Sequence, residues 1–286
     1  MLEALFIENA FWQSSATQWL RQALMQAAAA QGMQLLVRSN ADFLRGDSFE
    51  GLPAIALFWD KDVRLASLLE AKGLRLFNPA EAIRICDDKT LTYVALQDLD
   101  IPMPDTLLCP MTFPAVGYTG FDFIQDTADQ LGLPFVIKEG CGSFGQQVYL
   151  VKTIEEARAL LNAAAGKPLL FQRFIKESTG RDVRAYVVGG EVVASMMRVT
   201  SSGDFRANIA SGGHAHQHIL SQEEECIALT VCRHLRLDFA GVDLLLSKDG
   251  PLLCEVNSNA HFQALQELSG HNPAVEIIGL LKAWQA

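Results

Sequence analysis

An apolar run near the C-terminus carries oxygen-bearing side chains at alternate positions. The segment LLCEVNSNAHF, residues 252–262, places Glu255 and Asn257 two residues apart. Because successive side chains of a β-strand point to opposite faces, these two would share one face of a strand. Asp243 lies in the preceding apolar run, and the turn signal Asp249-Gly250 separates the two runs. If the loop is three residues centred on Asp249, Asp243 lies directly opposite Glu255.

Asp243, Glu255 and Asn257 would then form a group of hard oxygen ligands. Two bare carboxylates at that distance would repel each other, and burial would add a desolvation cost. A divalent cation removes both problems, and Mg²⁺ is typically bound by one or two carboxylates together with substrate phosphates. The alternative is a hairpin with a solvated polar face, and these residues alone leave both interpretations open.

A glycine-rich segment, FVIKEGCGSFGQQ, forms the second candidate site. A strand ends at Lys138, and Gly140, Gly142 and Gly145 follow it. Glycines let backbone N–H groups approach phosphate oxygens, and the lysine supplies positive charge. The segment lacks the Gly-Lys-Ser/Thr ending of a Walker A sequence. Taken by itself it favours an ordinary glycine-rich hairpin loop.

Four basic residues form the third group. Lys89 stands near the start of a helix, Arg184 and Arg198 lie in a predicted hairpin, and Arg206 lies in GDFRANIASGG. A two-residue turn at Gly189-Gly190 would place Arg184 and Arg198 on opposite faces. Either the loop is longer, or only one of the two points into a site. Taken singly, such residues are most often surface ion-pair partners.

The alternating histidines His214, His216 and His218 would line one face of a strand and could bind a transition metal. No cysteine or carboxylate of fitting spacing accompanies them, and the surrounding Ser and Gly residues favour a loop. Cys141 has no sequence-visible His or Asp arrangement for nucleophilic catalysis, so we interpret it as incidental.

The elements that must position these residues fall into three regions. Residues 1–77 alternate between strand and helix patterns, which predicts a parallel sheet with covered faces. No GxGxxG follows the first strand, so a dinucleotide site is not indicated. The expected domains are an N-terminal α/β domain over 1–85, a central unit with its first helix over 86–176, and a C-terminal unit over 177–286.

Within these regions the patterns predict further elements. Asn78-Pro79 opens a helix, and a second helix is expected over Asp87–Leu99. The central unit should be a small α+β unit. The C-terminal unit should contain two hairpins, a Gly/His-rich irregular segment between them, a helix over 221–235 and a terminal helix.

Composition narrows the class of protein. The 286 residues are 50% hydrophobic and carry a formal net charge of −10, which argues against nucleic acid as a partner. Six cysteines show no CxxC pair, a usage that suits a reducing cytoplasm. The first residues lack the basic region of a signal peptide, and no apolar run is long enough to span a membrane. We therefore expect a cytoplasmic protein that does not bind membranes.

Five segments in fixed order, between about Asn78 and Ile278, resemble the ATP-grasp superfamily and within it the RimK-like (alpha-L-glutamate ligase type) carboxylate–amine ligases. They are NPAEAIRICDDKTLTYVAL, PFVIKEGCGSFGQQVYLV, FQRFIKESTGRDVRAYVVGGEVVASMMR, GDFRANIASGG and AGVDLLLSKDGPLLCEVNSN.

The resemblance implies an ATP-grasp fold, mixed α/β and α+β, in which a central lid domain and a C-terminal domain hold ATP between them. Such ligases use ATP to phosphorylate a carboxylate, and an amine then attacks the acyl phosphate. The implied cofactors are ATP and Mg²⁺, with Mn²⁺ as an alternative. The expected substrates are a carboxylate and an amine on a small molecule, peptide or protein tail, with glutamate transfer as one form. A homo-oligomer is a further expectation.

The resemblance also implies roles for individual residues. The residues expected to contact ATP are Lys89, Lys138, Gly142, Ser143, Gln172, Arg173, Phe174, Ile175, Asp182 and Arg184. The residues expected to stabilise or place the transferring phosphoryl group are Arg198, Arg206 and Asn208. The residues expected to bind Mg²⁺ are Asp243, Glu255 and Asn257.

Two departures from the family pattern bear on the substrate. Arg173 stands where the family usually has an acidic residue. The sequence continues after EVN as SNAHFQAL instead of a small-Pro-Gly turn, which places Asn259, His261 and Phe262 beside the expected acceptor pocket. A ligase for another amino acid, as in glutathione or lysine biosynthesis, and a nucleotide-binding regulator without turnover are the alternatives. Because the whole charged set is present, an enzyme is favoured.

Overall fold

The computed structural model describes residues 2–142, 145–200, 203–207 and 213–285, and its strands form three sheets. Within these residues, no helix has both the length and the apolar character needed to cross a membrane. The three sheets fall inside the segments 1–85, 86–176 and 177–286. The division into three domains at those boundaries stays a prediction.

The N-terminal region forms a parallel sheet, as predicted. Its elements in chain order are β1 (Leu2–Glu8), α1 (Ser15–Ala30), β2 (Met33–Ser39), β3 (Ile55–Trp59), α2 (Val63–Ala71) and β4 (Arg75–Phe77). The strand order is β2-β1-β3-β4. β1 and β3 are nearly all apolar because both faces of the sheet are covered.

Two short helices lead out of this sheet: α3 (Ala80–Asp87) and α4 (Lys89–Leu96). The second helix is shorter than the predicted 87–99. Asp88 has an extended backbone, and its side chain caps the helix by accepting from the N–H groups of Thr90 and Leu91. The cap fixes Lys89 as the first residue of α4.

The central sheet separates an apolar core from a cavity lined by both polar and apolar side chains. Its elements are β5 (Thr106–Leu108), α5 (Asp122–Leu131), β6 (Phe135–Glu139), β7 (Val148–Val151), α6 (Ile154–Ala163) and β8 (Leu169–Arg173). The strand order is β5-β8-β6-β7. Along β6, Phe135 and Ile137 pack into the core with the two helices, whereas Val136 and Lys138 face the cavity.

The C-terminal sheet is antiparallel throughout. Its strands are β9 (Arg181–Val188), β10 (Glu191–Val199), β11 (His214–Gln217), β12 (Phe239–Ser247) and β13 (Gly250–Asn257). The helices of this region are α7 (Gln222–His234), α8 (Gln263–Ser269) and α9 (Pro273–Gln285). The strand order is β11-β10-β9-β12-β13. The loop expected around His214 and His216 is wrong, because this segment pairs with β10 as an edge strand.

Both hairpins of this sheet contain a bulge that turn length alone did not predict. The first has the two-residue turn Gly189-Gly190, both with positive φ, and an irregularity between Val192 and Ala194. The bulge changes the register, so Arg184 and Arg198 lie on one face. Neither expected outcome, a longer loop or only one arginine facing the site, is correct.

The second hairpin has the predicted pairing of Asp243 with Glu255, but its turn length differs from the prediction. Ser247 pairs with Gly250, so the turn has two residues and not the three proposed. A bulge beside Asp243 then shifts the register by one residue. Asp243 consequently lies opposite Glu255, as predicted.

The first and third sheets share one hydrophobic core. Residues of β1, α1 and β3 pack with Tyr186, Phe239, Phe262 and the apolar face of α9. Asn78 reinforces this junction: its side-chain amide donates to the carbonyls of Phe239 and Ser258 at 2.9 and 2.8 Å. The carboxyl ends of β1 and β3 are thereby held against the turn that follows β13.

Candidate active site

A cavity of about 1150 Å³ is lined by residues from all three sheets. It receives every predicted site residue that the structure describes. These are Lys89, Lys138, Gly142, Gln172, Arg173, Phe174, Ile175, Asp182, Arg184, Arg198, Arg206, Asp243, Glu255 and Asn257. Ser143 and Asn208 lie outside the described residues. The geometry brings the predicted set together, and the role of each member stays a prediction.

Four alternating charges cross three neighbouring strands of the C-terminal sheet. Arg198 donates to both carboxylate oxygens of Asp182 at 2.6 Å, and its Nη2 lies 2.9 Å from Oδ2 of Asp243. Arg184 donates to both oxygens of Asp243 at 2.7 Å. Burial of such groups is tolerated only when they are paired with good geometry, as here.

The pairing determines the protonation of the two carboxyl groups. Burial by itself would raise the pKa of Asp243, but Arg184 and Arg198 outweigh burial and hold the pKa below its ordinary value. Burial raises the pKa of Asp182, whose bound cation Arg198 is shared with Asp243. Asp243 is therefore the firmly ionised member of the pair.

The oxygen donors expected for Mg²⁺ lie side by side at this end of the cavity. Glu255 is opposite Asp243, and the amide nitrogen of Asn257 lies 3.3 Å from Oδ2 of Asp243. Within the described residues, no group of three or more His, Cys, Asp or Glu side chains could hold a metal. The donor set is instead two carboxylates and one amide, which are hard oxygen ligands and fit Mg²⁺.

The two lysines differ in what neutralises them. Lys89 donates to the carbonyl oxygen of Gly142 at 3.1 Å and forms a 3.2 Å ion pair with Glu255. Lys138 is 6% exposed, and its Nζ lies 3.8 Å from the sulfur of Cys254. Among the described residues no carboxylate pairs with it. Because a buried ammonium group without a counterion is costly, Lys138 marks a position that fits an anion.

Arg206 connects the C-terminal unit to the glycine-rich loop of the central sheet. Its Nη1 donates to the carbonyl oxygen of Gly145 at 2.5 Å. Its Nη2 forms an ion pair with Asp204 at 2.7 Å. Gly145 has a positive φ of 70°, which favours glycine at the point where the loop meets Arg206.

The end of β8 forms an apolar part of the wall. Phe174 and Ile175 line the cavity with Val136, Val148 and Leu245. Such a wall suits the flat face of an aromatic base.

The side chains of Gln172 and Arg173 are directed to protein partners. Gln172 donates to the hydroxyl of Thr106 at 2.9 Å. Arg173, which departs from the family pattern, forms a 2.7 Å ion pair with Asp105 in an exposed position. Its charge is thus neutralised at the rim of the cavity.

We call the part of the cavity around Asp182, Arg184, Arg198 and Asp243, with the two lysines, the charged end. The opposite part, the aromatic end, was only partly predicted. It contains Trp12, Trp59, Asp60, Asn259 and His261.

At the aromatic end, Asn259 and His261 line the cavity as expected. Phe262 does not, because it is fully buried in the core against Trp19, Trp59 and Tyr186. Phe262, which was expected beside the acceptor pocket, is therefore a core residue and cannot contact a ligand in the cavity.

The residues that β1 and β3 contribute to the aromatic end were missed. Asn9, Trp12, Trp59 and Asp60 all line the cavity, and the side-chain amide of Asn9 donates to Asp60 at 3.1 Å. Ligands of open parallel sheets bind at the carboxyl ends of the strands, and polar residues following two predicted strands were the available signal.

Comparison with known proteins gives relatives with consistent names. Beta-citrylglutamate synthase B from Danio rerio is 35% identical over 217 residues, which are 75% of this chain and 52% of that protein. N-acetylaspartylglutamate synthase A from Homo sapiens is 34% identical over 76% of this chain and 54% of its own length. A probable alpha-L-glutamate ligase from Parasynechococcus marenigrum is 36% identical over 72% of this chain and 43% of its own length. The chain spans about half the length of the curated relatives it matches.

Solved structures give the fold. A RimK domain ATP-grasp protein from Sphaerobacter thermophilus superposes with a TM-score of 0.72 at 22% identity, covering 97% of this chain and 99% of that one. The ATP-grasp ligase PsnB superposes with a TM-score of 0.71 at 16% identity, covering 100% of both chains. That structure contains a phosphomimetic variant of the minimal precursor, Mg and ADP. These likenesses establish the ATP-grasp fold.

The family model for the RimK-like ATP-grasp domain matches residues 86–281. This range contains the central sheet, the C-terminal sheet and every predicted site residue. With the matched range, the relatives and the shared fold in agreement, the chain belongs to the RimK-like ATP-grasp family.

Proposed function

We propose that this protein is an ATP- and Mg²⁺-dependent carboxylate–amine ligase that forms an amide bond through an acyl phosphate. The observation that carries the proposal is the convergence, in one cavity, of the buried unpaired Lys138, the charge chain and the Asp243–Glu255–Asn257 oxygen group. Glutamate is the proposed amine substrate, because the names of the relatives contain a glutamate product or a glutamate ligase.

The nucleotide would lie between the central and C-terminal sheets. The base fits the apolar wall at Phe174 and Ile175, and the phosphates fit Lys89 and Lys138. Asp243, Glu255 and Asn257 would hold Mg²⁺, which when bound neutralises phosphate charge; Mn²⁺ is a proposed substitute.

The arginines would act on the charge that develops during phosphoryl transfer. Arg198 is held rigidly by Asp182 and Asp243, so its orientation is set before any ligand arrives. Phosphoryl transfer needs mainly positioning and charge stabilisation from the protein, and a pre-oriented guanidinium supplies both. Arg206, already bonded to the glycine-rich loop, would complete the phosphate site when the loop covers the nucleotide.

The compartment proposed for this reaction is the cytoplasm. All six cysteines are free thiols, which suits a reducing environment.

The direct test is formation of ADP together with a new amide. Purified protein would be supplied with ATP, Mg²⁺ and glutamate, with citrate or N-acetylaspartate as the carboxylate, and products would be identified by mass spectrometry. We expect ADP release that depends on both substrates, and loss of that release in Glu255→Gln.

The control is Glu191→Gln, an exposed position at the start of β10 that leaves the cavity and its oxygen group intact. Mg²⁺-dependent ATP binding without ADP release on any substrate pair would overturn the ligase proposal in favour of a nucleotide-binding regulator. Release with another amino acid in place of glutamate would retain the chemistry and replace the amine.

A further inference from the structure

The turn after β13 places a histidine in the aromatic end of the cavity. His261 lies four residues after Asn257, and its ring lines the cavity and packs against Trp12 with the centroids 5.9 Å apart. The neighbouring backbone is fixed, because the carbonyl of Ala260 accepts from the hydroxyl of Tyr186 at 3.0 Å and Phe262 is fully buried. The position of the ring is therefore determined by the core.

Polar atoms around this ring lack partners. Nδ1 of His261, Oδ1 of Asn259 and Nε1 of Trp59 are buried, and none of them has a hydrogen-bond partner in the described part of the chain. Trp59 as a whole is only 7% exposed. A buried polar atom that has no hydrogen-bond partner destabilises the fold. The three residues that carry these atoms all line one cavity, and a polar ligand bound there would supply the missing partners.

The charged groups that face this end are already engaged. Asp60 accepts from the amide of Asn9 and from the backbone N–H of Lys61, and Glu267 accepts from Gln263 at 2.9 Å.

The remaining charges belong to neighbouring elements. Lys61 forms an ion pair with Asp87, and Arg184 binds Asp243. Asp60 and Glu267 already accept hydrogen bonds, whereas Nδ1 of His261 accepts none within the described residues.

The ring is also in the protonation state that a base requires. Burial and, secondarily, Arg184 lower the pKa of His261 below its ordinary value. The imidazole is consequently neutral near pH 7 and able to accept a proton.

The amine step of a ligase needs such an acceptor. An amine attacks an acyl phosphate only as the free base, and an alkylammonium such as that of lysine has an ordinary pKa of about 10.4. A base whose pKa lies near the working pH is the efficient catalyst for removing that proton.

Building on the proposed ligase function, we propose that His261 is the general base of the amine step. The imidazole takes one proton from the ammonium and so frees the nitrogen lone pair, which attacks the acyl carbon. The bond from the acyl carbon to the phosphate oxygen breaks, and phosphate leaves with the electron pair and with the second proton that the nitrogen loses on becoming an amide. Asn259 and Trp59 would bind the polar groups of the amine substrate in the same subsite.

The experiment separates acyl-phosphate formation from deprotonation of the amine. Hydroxylamine is largely unprotonated at pH 7, so it traps an acyl phosphate as a hydroxamate without a base. Wild type and His261→Gln would be compared with ATP, Mg²⁺ and a panel of citrate, N-acetylaspartate and the acidic amino acids, using either hydroxylamine or glutamate as the amine. We expect the variant to keep hydroxamate formation and to lose amide formation by about 10²–10⁴-fold at pH 7.

A matched variant tests whether the loss belongs to this ring. His271→Gln makes the same substitution at an exposed histidine paired with Glu276. It should keep amide formation within a few-fold of wild type. If His261→Gln folds poorly, His261→Gly with added imidazole should regain amide formation.

The outcomes distinguish the two proposals. Equal loss of hydroxamate and amide in His261→Gln, or no loss of either, would overturn the base assignment while the ligase function stands. A wild-type protein that forms no hydroxamate with any member of the panel would overturn the ligase function, and the role of His261 with it.

Discussion

The two ends of the cavity treat their polar groups in opposite ways. At the charged end, Asp182, Arg198, Asp243 and Arg184 satisfy one another through short hydrogen bonds. At the aromatic end, polar atoms of Trp59, Asn259 and His261 are buried and have no hydrogen-bond partner among the residues that the structure describes. The charged end is therefore organised before a ligand binds, whereas the aromatic end is completed by one.

The difference follows from the elements that build each end. The charge chain lies on β10, β9 and β12, adjacent strands whose register fixes each pair. The aromatic end is assembled from the ends of β1 and β3 and from the turn after β13. Pre-oriented charges suit phosphoryl transfer, which is common to the family, and unsatisfied groups on loops suit recognition of a particular substrate.

The largest effect is expected from breaking the charge chain at its centre. Asp243→Asn keeps the shape of the side chain but leaves Arg184 and Arg198 with one carboxylate between them. Loss of one partner from a buried ion pair costs about 3–5 kcal/mol. We expect the free energy of unfolding, measured by urea denaturation, to fall by about that amount, together with loss of ligase activity.

Asp249→Asn is the matched control for this substitution. Asp249 lies in the exposed turn of the same hairpin, so its replacement should change the free energy of unfolding by no more than about 0.5 kcal/mol. If Asp243→Asn were as mild as this control, the charged end would not be organised by its ion pairs.

A smaller effect, and one on binding instead of folding, is expected at Lys138. Lys138→Met removes a buried charge that has no acidic partner among the described residues and retains the apolar stem. Hydrogen bonds to charged groups contribute about 1.5–3 kcal/mol, so ATP affinity should fall by about 10–100-fold. The free energy of unfolding should stay level or rise, because burying the unpaired ammonium is costly.

Calorimetric titration with ATP and Mg²⁺ would measure the affinity, and Lys167→Met is the control. Lys167 is an exposed lysine of the central unit whose ammonium pairs with Glu139 at 2.8 Å. Unchanged ATP affinity in Lys138→Met would show that this lysine is structural and would remove it from the charged end.

The charged end could be predicted from sequence more completely than the aromatic end. Lys138, Glu255 and Asn257 stand near the ends of apolar strands and Asp243 stands in the middle of one, so alternation gives the face and the ordered motifs give the family. The exact register was not predictable, because a bulge such as that at Val193 adds a residue without a sequence signal as clear as a turn. The pairing of Asp243 with Glu255 was correct only because the bulge compensated for a turn shorter than expected.

The aromatic end depends on contacts between distant segments, which local patterns do not encode. Asn259 binds the backbone carbonyl of Asp60 at 2.8 Å across 199 positions of the chain. Phe262 sits beside His261 in sequence, yet it faces the core because helix α8 and the N-terminal sheet bury it. Adjacent residues thus have different roles that only the packing of the first sheet on the third decides.

The smallest expected effect separates the two ends by the pH at which each loses stability. The lowered pKa of Asp243 means that its stabilisation is present above the ordinary Asp pKa, about 3.9, and is lost as the pH falls through the still lower folded value. The lowered pKa of His261 means that the unfolded chain binds its proton first, so stability falls as the pH drops below about 6.5. The free energy of unfolding, measured by urea denaturation, should therefore decrease less between pH 7.5 and pH 5.5 in His261→Gln than in wild type. In Asp243→Asn it should decrease by the same amount as in wild type. An equal decrease in wild type and His261→Gln would mean that the surroundings do not keep the ring neutral. The aromatic end would then not differ from the charged end in the way proposed.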